Sequence, residues 1–139
     1  MAVLRIVMDT NVLYAGLYSS RGASHRLLRA VDSGRVRIVL STALLFEYED
    51  VVRRSQKELG LSDRDIEDLL DGLCRVCERQ KVYFLWRPCL SDAKDDLVLE
   101  LAVAAGTDYI VTHNIRHFEA AGQFGVKVRT PGQIMETIA

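Results

Sequence analysis

Residues 3–11 read Val3-Leu4-Arg5-Ile6-Val7-Met8-Asp9-Thr10-Asn11, a mostly apolar run that ends on a carboxylate. The run predicts a buried strand over residues 3–8, with Asp9 at its carboxyl end. Open α/β sheets bind ligands in the crevice outside the carboxyl ends of their strands. A buried carboxylate without a partner is costly, so Asp9 requires a donor or a metal ion nearby. Asp9 is therefore the first candidate site residue.

The remainder of the chain alternates between extended and helical patterns. The extended patterns lie at residues 36–40, 82–85, 109–112 and 126–128, and the helical ones end near Ser33, cover 43–80 and 92–105, and begin again at Pro131. This alternation predicts an α/β fold with a mainly parallel sheet of four to five strands. The helices at 43–80 have no strand between them, and we expect them to form a clamp or an arm. A length of 139 residues fits one domain spanning 1–139.

Composition limits the classes of protein that the chain can represent. Its net charge is −1, so no overall field attracts nucleic acid, although fourteen of its eighteen cations are arginine. No apolar run is long enough to span a membrane, and the N-terminus lacks the pattern of a secretory signal. We expect a cytoplasmic protein without a membrane partner. Three cysteines, including the pair Cys74 and Cys77 within a helical pattern, predict core packing rather than a disulfide framework.

The helix predicted over residues 92–105 carries acids on an otherwise apolar surface. Asp92, Asp96 and Glu100 are spaced four residues apart and therefore fall in one line. Like charges at this spacing repel, and a bound cation would relieve the repulsion. Asp95 projects to a different side, so Asp96 is the preferred ligand of the two. Asp92 has a second interpretation, because an acid at this position also caps a helix.

Two further segments supply polar groups. Thr112 and Asn114 follow the strand at 109–112, so their side chains lie at the same edge as Asp9 if the strands are parallel, where they could bond a carboxylate, a phosphate or a metal-bound water. Glu47 and Glu49 border the apolar stripe of their helix on opposite sides, and helical periodicity does not choose between them. Converging acids predict Mg²⁺ or Mn²⁺, which would support hydrolysis of a phosphodiester without a nucleophilic Ser or Cys.

Taken together in order, these motifs resemble the PIN-domain family, over nearly the whole chain. The first match is Met8-Asp9-Thr10-Asn11-Val12, and the second is Ser41 with Glu47 six residues later. The others are Asp92-Ala93-Lys94-Asp95-Asp96 followed by Leu99 and Ala102, and Asp108 to Asn114. The branch that it most resembles contains the VapC-like toxin components of toxin–antitoxin systems.

The resemblance implies a three-layer α/β/α sandwich and a metal-dependent endoribonuclease. It implies Asp9, Glu47 and Asp96 as catalytic residues and metal ligands, with Asp92 as an additional metal acid. It thus selects Glu47 over Glu49. Supporting hydrogen bonds are expected from Thr10, Asn11, Thr112 and Asn114; Asn114 stands where many members carry a fourth acid. The implied partners are an RNA substrate, a small antitoxin protein and a second copy of the chain in a homodimer.

Other functions remain open from the sequence. A PIN-like domain with weakened catalysis could act as a protein-binding module, and Asn114 favours this alternative. A nuclease of this kind could also process RNA outside a toxin system. Phosphotransfer through an aspartyl nucleophile at Asp9 is disfavoured, because the haloacid-dehalogenase pattern needs a second Asp where this chain has Asn11.

Overall fold

The computed structural model describes residues 3–82 and 92–139 of the chain. Helices and strands alternate along most of this length. The strands are β1 (Leu4–Met8), β2 (Val36–Leu40), β3 (Glu78–Arg79), β4 (Tyr109–Val111) and β5 (Lys127–Arg129). The helices are α1 (Thr10–Tyr18), α2 (Ala23–Asp32), α3 (Thr42–Arg54), α4 (Gln56–Leu59), α5 (Asp63–Val76), α6 (Ala93–Ala105) and α7 (Pro131–Ile138). A 3₁₀ helix occupies Ile115–Phe124, between β4 and β5.

Within the described residues, the strands form one five-stranded sheet in the order β3-β2-β1-β4-β5. All four pairings are parallel. The chain builds outward from β1 to β3 and then crosses to the other side of β1, where it adds β4 and β5. At such a reversal, the connections that leave two neighbouring strands run in opposite directions along the sheet. This opens a crevice at the carboxyl ends of these two strands. The crevice of this sheet therefore lies between β1 and β4.

The central strand is covered on both faces. Ile6, Val7 and Met8 are successive residues that point to alternate faces, and each is fully buried. Parallel sheets need this double cover, because their helical crossovers pack on the faces. Helix α6 packs across β1, β2 and β4. Helix α2 packs on β2 and also contacts α1 and α7. The predicted α/β fold with a parallel sheet flanked by helices is confirmed.

Two elements differ from the sequence prediction. Helix α1 begins directly after Asp9, where no helix was predicted, because Asp9 also caps it: the carboxylate accepts a hydrogen bond from Thr10 N. The third strand was predicted over 82–85, but β3 lies at Glu78–Arg79 and pairs with the end of β2. Strand β3 is polar and only two residues long, so periodicity does not reveal it. Val82 is outside any strand, and 83–85 lie outside the described residues.

The segment predicted as a clamp or arm consists of α3, α4 and α5. The chain breaks between α4 and α5 at Gly60, whose φ of 66° is the left-handed conformation that glycine adopts readily. Each of its helices packs on the body of the domain: α3 against α1 and α6, α4 against α1, and α5 against α2. Cys74 and Cys77 are free and partly buried. A clamp function for this segment stays a prediction.

No helix in the described parts of the chain has the length and apolar character needed to cross a bilayer.

Candidate functional site

Asp9 lies at the crevice between β1 and β4, and its carboxylate is held on both oxygens. Oδ1 accepts a hydrogen bond of 2.7 Å from Thr10 N, and Oδ2 accepts one of 2.8 Å from the Thr112 hydroxyl. The backbone of Asp9 also donates to Val111 O on β4. The residue is only 8% exposed, so these bonds replace most of the hydration of its carboxylate. The predicted meeting of Asp9 and Thr112 at one edge of the sheet is therefore present.

Thr112 connects Asp9 to the loop that follows β4. Its hydroxyl donates to Asp9 and accepts from Asn114 N at 3.0 Å and from the Asn11 amide at 3.4 Å. The Asn11 side chain completes the link, because its oxygen accepts from His113 N at 3.3 Å. Thr112 is fully buried, whereas Asn114 is exposed. Three of the predicted supporting residues thus form one network behind the carboxylate, with Asn114 joined to it through its backbone.

Tyr48 fastens α3 to the same edge. Its hydroxyl donates to Met8 O, the carbonyl immediately before Asp9, and its ring is fully buried. Burial, and secondarily the negative charge of Asp9, holds the pKa of Tyr48 well above its usual value. The hydroxyl therefore stays protonated and remains a donor. Because Glu47 directly precedes Tyr48 in α3, this bond also fixes the position of the Glu47 backbone at this edge of the sheet.

Asp95, on the first turn of α6, is the acid that the structure couples to Asp9. It is buried at 7% exposure. Burial first, and then the charges of Asp9 and Asp92, raises its pKa from 3.8 to about 6, while His117 opposes the rise. Asp95 Oδ2 lies 3.3 Å from His117 Nδ1 but makes no hydrogen bond of adequate geometry. Asp95 therefore has a buried carboxylate oxygen that is available to a cation.

Asp95 and Asp96 lie on different sides of α6, as the helix wheel predicts, and which of them binds a metal stays a prediction. Asp92, Asp96 and Glu100 do share one side of α6, as predicted, but Glu100 lines a cavity of about 510 Å³ together with Ser41 and other residues at the β2–β3 side. Asp95 instead shares a line with Leu99 and Ala102, which are fully buried. The sequence pattern favoured Asp96 because it ranked the acids by their mutual spacing. The sequence feature that marks Asp95 is the pair of apolar residues four and seven positions later, Leu99 and Ala102, which lie in line with it on the helix.

Asp96 and Asp92 have different surroundings. Asp96 is 2% exposed, and its assignment as a metal ligand stays a prediction. Asp92 is the N-cap of α6 and accepts a hydrogen bond of 2.8 Å from Lys94 N, so the capping interpretation is confirmed. Its charge contributes to the raised pKa of Asp95, which places it near the site. A metal-binding role for Asp92 also stays a prediction.

Glu47 is the glutamate of α3 that turns toward α6. Its Oε2 is sealed from solvent, makes no hydrogen bond with any described residue, and lies 3.7 Å from Lys94 Nζ. Glu49, the alternative that the helix wheel left open, accepts a 2.8 Å bond from Arg53 on the surface of its own helix. Glu47 therefore approaches the first turn of α6, where Asp95 is located, whereas Glu49 is paired elsewhere.

The residues at this edge fit a hard divalent cation by their chemistry. Their donors are carboxylate and hydroxyl oxygens, which Mg²⁺ and Mn²⁺ prefer. Glu47 and Asp95 each present a buried oxygen without a hydrogen bond among the described residues. Lys94 Nζ lies 3.7 Å from the first and His117 Nδ1 lies 3.3 Å from the second, so both oxygens keep the capacity to bind a cation directly. Residues 3–82 and 92–139 hold no group of three acids, histidines or cysteines already arranged to bind a metal.

Two histidines border the site. The His113 ring lies 2.8 Å from the Ser24 hydroxyl through Nε2, which ties the loop after β4 to α2. His117 stands beside Asp95 with about half of its side chain exposed. The first is anchored to the scaffold, and the second is open to solvent next to a site acid.

We expect Thr112→Val to weaken Mn²⁺ binding about tenfold to a hundredfold, the usual loss when a group orienting a metal ligand is removed. Valine keeps the shape of threonine but removes the donor to Asp9 and the acceptor of Asn114 N. Calorimetric titration with Mn²⁺ checks the expectation. Thr137→Val, at an exposed threonine of α7, serves as the matched control. Equal affinities for the two variants would show that Thr112 does not organise the site.

The comparisons with known proteins agree with this architecture. A family model described as PIN domain matches residues 5–116, and the chain belongs to that family. PIN domains are generally nucleases, and they generally use divalent metal ions. The chain is also similar to a solved chain of VapBC2 from Rickettsia felis bound to a DNA fragment from its promoter. That similarity has a TM-score of 0.63 at 16% identity and covers 91% of this chain and 98% of that one. No curated protein matches the sequence.

Proposed function

We propose that this protein is a metal-dependent endoribonuclease that hydrolyses RNA phosphodiester bonds, and that it is the toxin of a toxin–antitoxin pair. The observation that carries the proposal is a set of buried acids: Thr10 and Thr112 hold Asp9 at the β1–β4 crevice, and Asp95 and Glu47 each have a buried carboxylate oxygen without a hydrogen bond among the described residues. Buried carboxylates that repel one another destabilise the folded state. A divalent cation bound by them would offset that free-energy cost.

The residues divide into ligands and groups that position them. Asp9 and Asp95 are the proposed first ligands of Mg²⁺ or Mn²⁺, and Glu47 holds the ion or orients the attacking water. Asp96 and Asp92 are kept as further acids of the site. When bound, such an ion polarises the phosphate and lowers the pKa of water. Thr10, Asn11, Thr112 and Asn114 hold Asp9 and the loop after β4 in place.

The positive groups around the crevice suit a phosphate backbone. Lys94 lies at the first turn of α6, and Arg116 follows the Thr112–Asn114 loop at an exposed position. Arg21 and Arg26 are exposed near the start of α2. We propose these four cations as phosphate contacts, since arginine and lysine bind phosphate oxygens in complementary ways. They give the crevice local attraction that the net charge of −1 does not provide.

The partners follow from the same proposal. The similar chain comes from a VapBC2 complex, and this supports an antitoxin as the protein partner of a related fold. We propose a small antitoxin protein, a homodimer as the assembly and the cytoplasm as the location. Co-expression tests the antitoxin proposal. Induction of the gene for this protein alone should arrest growth, and co-expression of an adjacent antitoxin gene should restore growth.

Purified protein should cleave RNA in the presence of Mn²⁺ and lose that activity in excess chelator. The assay uses an end-labelled single-stranded RNA, because an endonuclease gives internal fragments and an exonuclease gives a ladder from one end. Readdition of Mn²⁺ should restore cleavage, which excludes damage by the chelator. Cleavage that continues undiminished in chelator would contradict a metal-dependent enzyme.

A second candidate is a PIN-like protein-binding module with weakened catalysis. Two observations favour it: Asn114 replaces an acid, and no group of three ligands is preformed among the described residues. A module of this kind would show no specific Mn²⁺ site by calorimetry. A nuclease that processes RNA outside a toxin system would instead bind Mn²⁺ and cleave RNA but would not arrest growth.

A further inference from the structure

Lys94 is the cation nearest to the sealed oxygen of Glu47 among the described residues. The 3.7 Å between Lys94 Nζ and Glu47 Oε2 is within ion-pair range but too long for a hydrogen bond. The two groups therefore attract one another by charge, without the directional bond that would lock them together. The Lys94 side chain is 56% exposed, so its amine has room to move away, whereas Glu47 is 25% exposed.

The position of Lys94 on its helix is unfavourable for a cation. It is the second residue of α6, where the partial positive charge of the helix dipole repels an ammonium group. The acids nearby offset this repulsion, because Glu47 pairs with the amine and Asp92 accepts from the Lys94 backbone. The ammonium is thus held at the site by carboxylate charge rather than by its own helix.

We propose that Lys94 is the resident counter-cation of Glu47, that it gives up this position when a divalent ion binds, and that its amine then contacts the RNA phosphate. The proposal rests on the proposed nuclease function. A divalent ion beside Glu47 removes the attraction that holds the ammonium and adds repulsion from its own charge. Lys94 is accordingly a positioning residue in the metal-free protein, and the exchange links metal binding to the appearance of a phosphate contact.

The test compares Mn²⁺ affinities by calorimetry for the wild-type protein, Lys94→Met, Lys94→Arg and Lys127→Met at one pH and one ionic strength. Lys94→Met removes the competing charge and keeps the length of the side chain, so we expect binding about twofold to fivefold tighter than wild type, as for loss of one solvent-exposed ion pair. Lys94→Arg retains the charge and should return the affinity to the wild-type value. Lys127→Met changes the net charge equally at an exposed position on β5 and should leave the affinity unchanged.

RNA kinetics provide a second readout. At saturating Mn²⁺, Lys94→Met should raise KM several-fold while kcat stays within about twofold, because the lost contact is to the phosphate rather than to the reacting atoms. Unchanged or weaker Mn²⁺ binding by Lys94→Met overturns the exchange while leaving the nuclease proposal intact. An unchanged KM overturns the phosphate contact. Failure of the wild-type protein to bind Mn²⁺ overturns both the exchange and the proposed function.

Discussion

Asp9→Asn is expected to reduce Mn²⁺-dependent RNA cleavage about a thousandfold or more. A divalent ion supplies several kcal/mol of charge stabilisation to the reaction, and each ~1.4 kcal/mol is a factor of ten in rate. The amide of asparagine can still accept from Thr10 N, so the cap of α1 survives and the fold is kept. The measurement is the rate of RNA cleavage at saturating Mn²⁺.

Asp71→Asn is the matched control for this variant, because Asp71 is an exposed acid of α5 and its change removes the same charge. Circular dichroism and thermal unfolding verify that both variants are folded. Cleavage by Asp9→Asn at the rate of Asp71→Asn would remove Asp9 from the active site and would leave the proposed function without its central residue.

Asp95→Asn is expected to stabilise the metal-free protein at pH 7.5 by about 2–3 kcal/mol. The pKa of Asp95 is raised to about 6 in the folded protein from an ordinary value of 3.8, and each pKa unit corresponds to ~1.4 kcal/mol. A raised carboxyl pKa means that the folded state binds the proton more tightly, so wild-type stability increases as pH falls through 6 toward 4. The amide introduced by Asp95→Asn does not titrate in this range, so the stability of the variant should lack this component.

Thermal unfolding in chelator between pH 7.5 and 5 measures the difference. Relative to Asp95→Asn, the wild-type protein should gain about 1–2 kcal/mol over this interval. Asp50→Asn, at an exposed acid paired with Arg54, should follow the wild-type pH dependence. Parallel pH profiles for wild type and Asp95→Asn would show that Asp95 does not carry the raised pKa.

Metal then reverses the order of stabilities. Mn²⁺ that binds the folded state should stabilise the wild-type protein and should have little effect on Asp95→Asn. Asp96→Asn tests the assignment that the sequence pattern preferred. If Asp96→Asn loses the response to Mn²⁺ and Asp95→Asn keeps it, then Asp96 is the ligand and the coupling of Asp95 to Asp9 is not functional.

Much of the fold could be predicted from the sequence because its strands are buried on both faces. The runs at 3–8 and 36–40 are nearly continuous in apolar residues, and such runs are distinctive of a parallel sheet. Asp9 could be placed at the carboxyl end of its strand for the same reason. Two helix caps also have local sequence signatures: Ser41 accepts from Leu44 N at the start of α3, and Ser62 with Asp65 forms a capping box at the start of α5.

What could not be predicted depends on contacts between distant parts of the chain. Strand β3 has two polar residues, and its pairing with β2 defines it, so no local pattern marks it. The choice between Asp95 and Asp96 depends on which side of α6 rests on the sheet, and a helix wheel gives relative angles without that reference direction. Helical periodicity likewise left Glu47 and Glu49 open; the resemblance to the PIN-domain family selected Glu47, and α3 packs against α6 in the structure.

The central position of β1 in the sheet has a consequence for the order in which the fold forms. Asp9 and its partner Thr112 are 103 residues apart in the sequence, and the neighbouring strand β4 directly precedes Thr112. Contacts of such long sequence separation form late, after the cost of closing the intervening chain has been met. An N-terminal fragment that ends before β4 would carry Asp9 and Glu47 without the network that holds Asp9. The hydrogen-bond network that holds Asp9 is therefore completed only after β4 has joined the sheet.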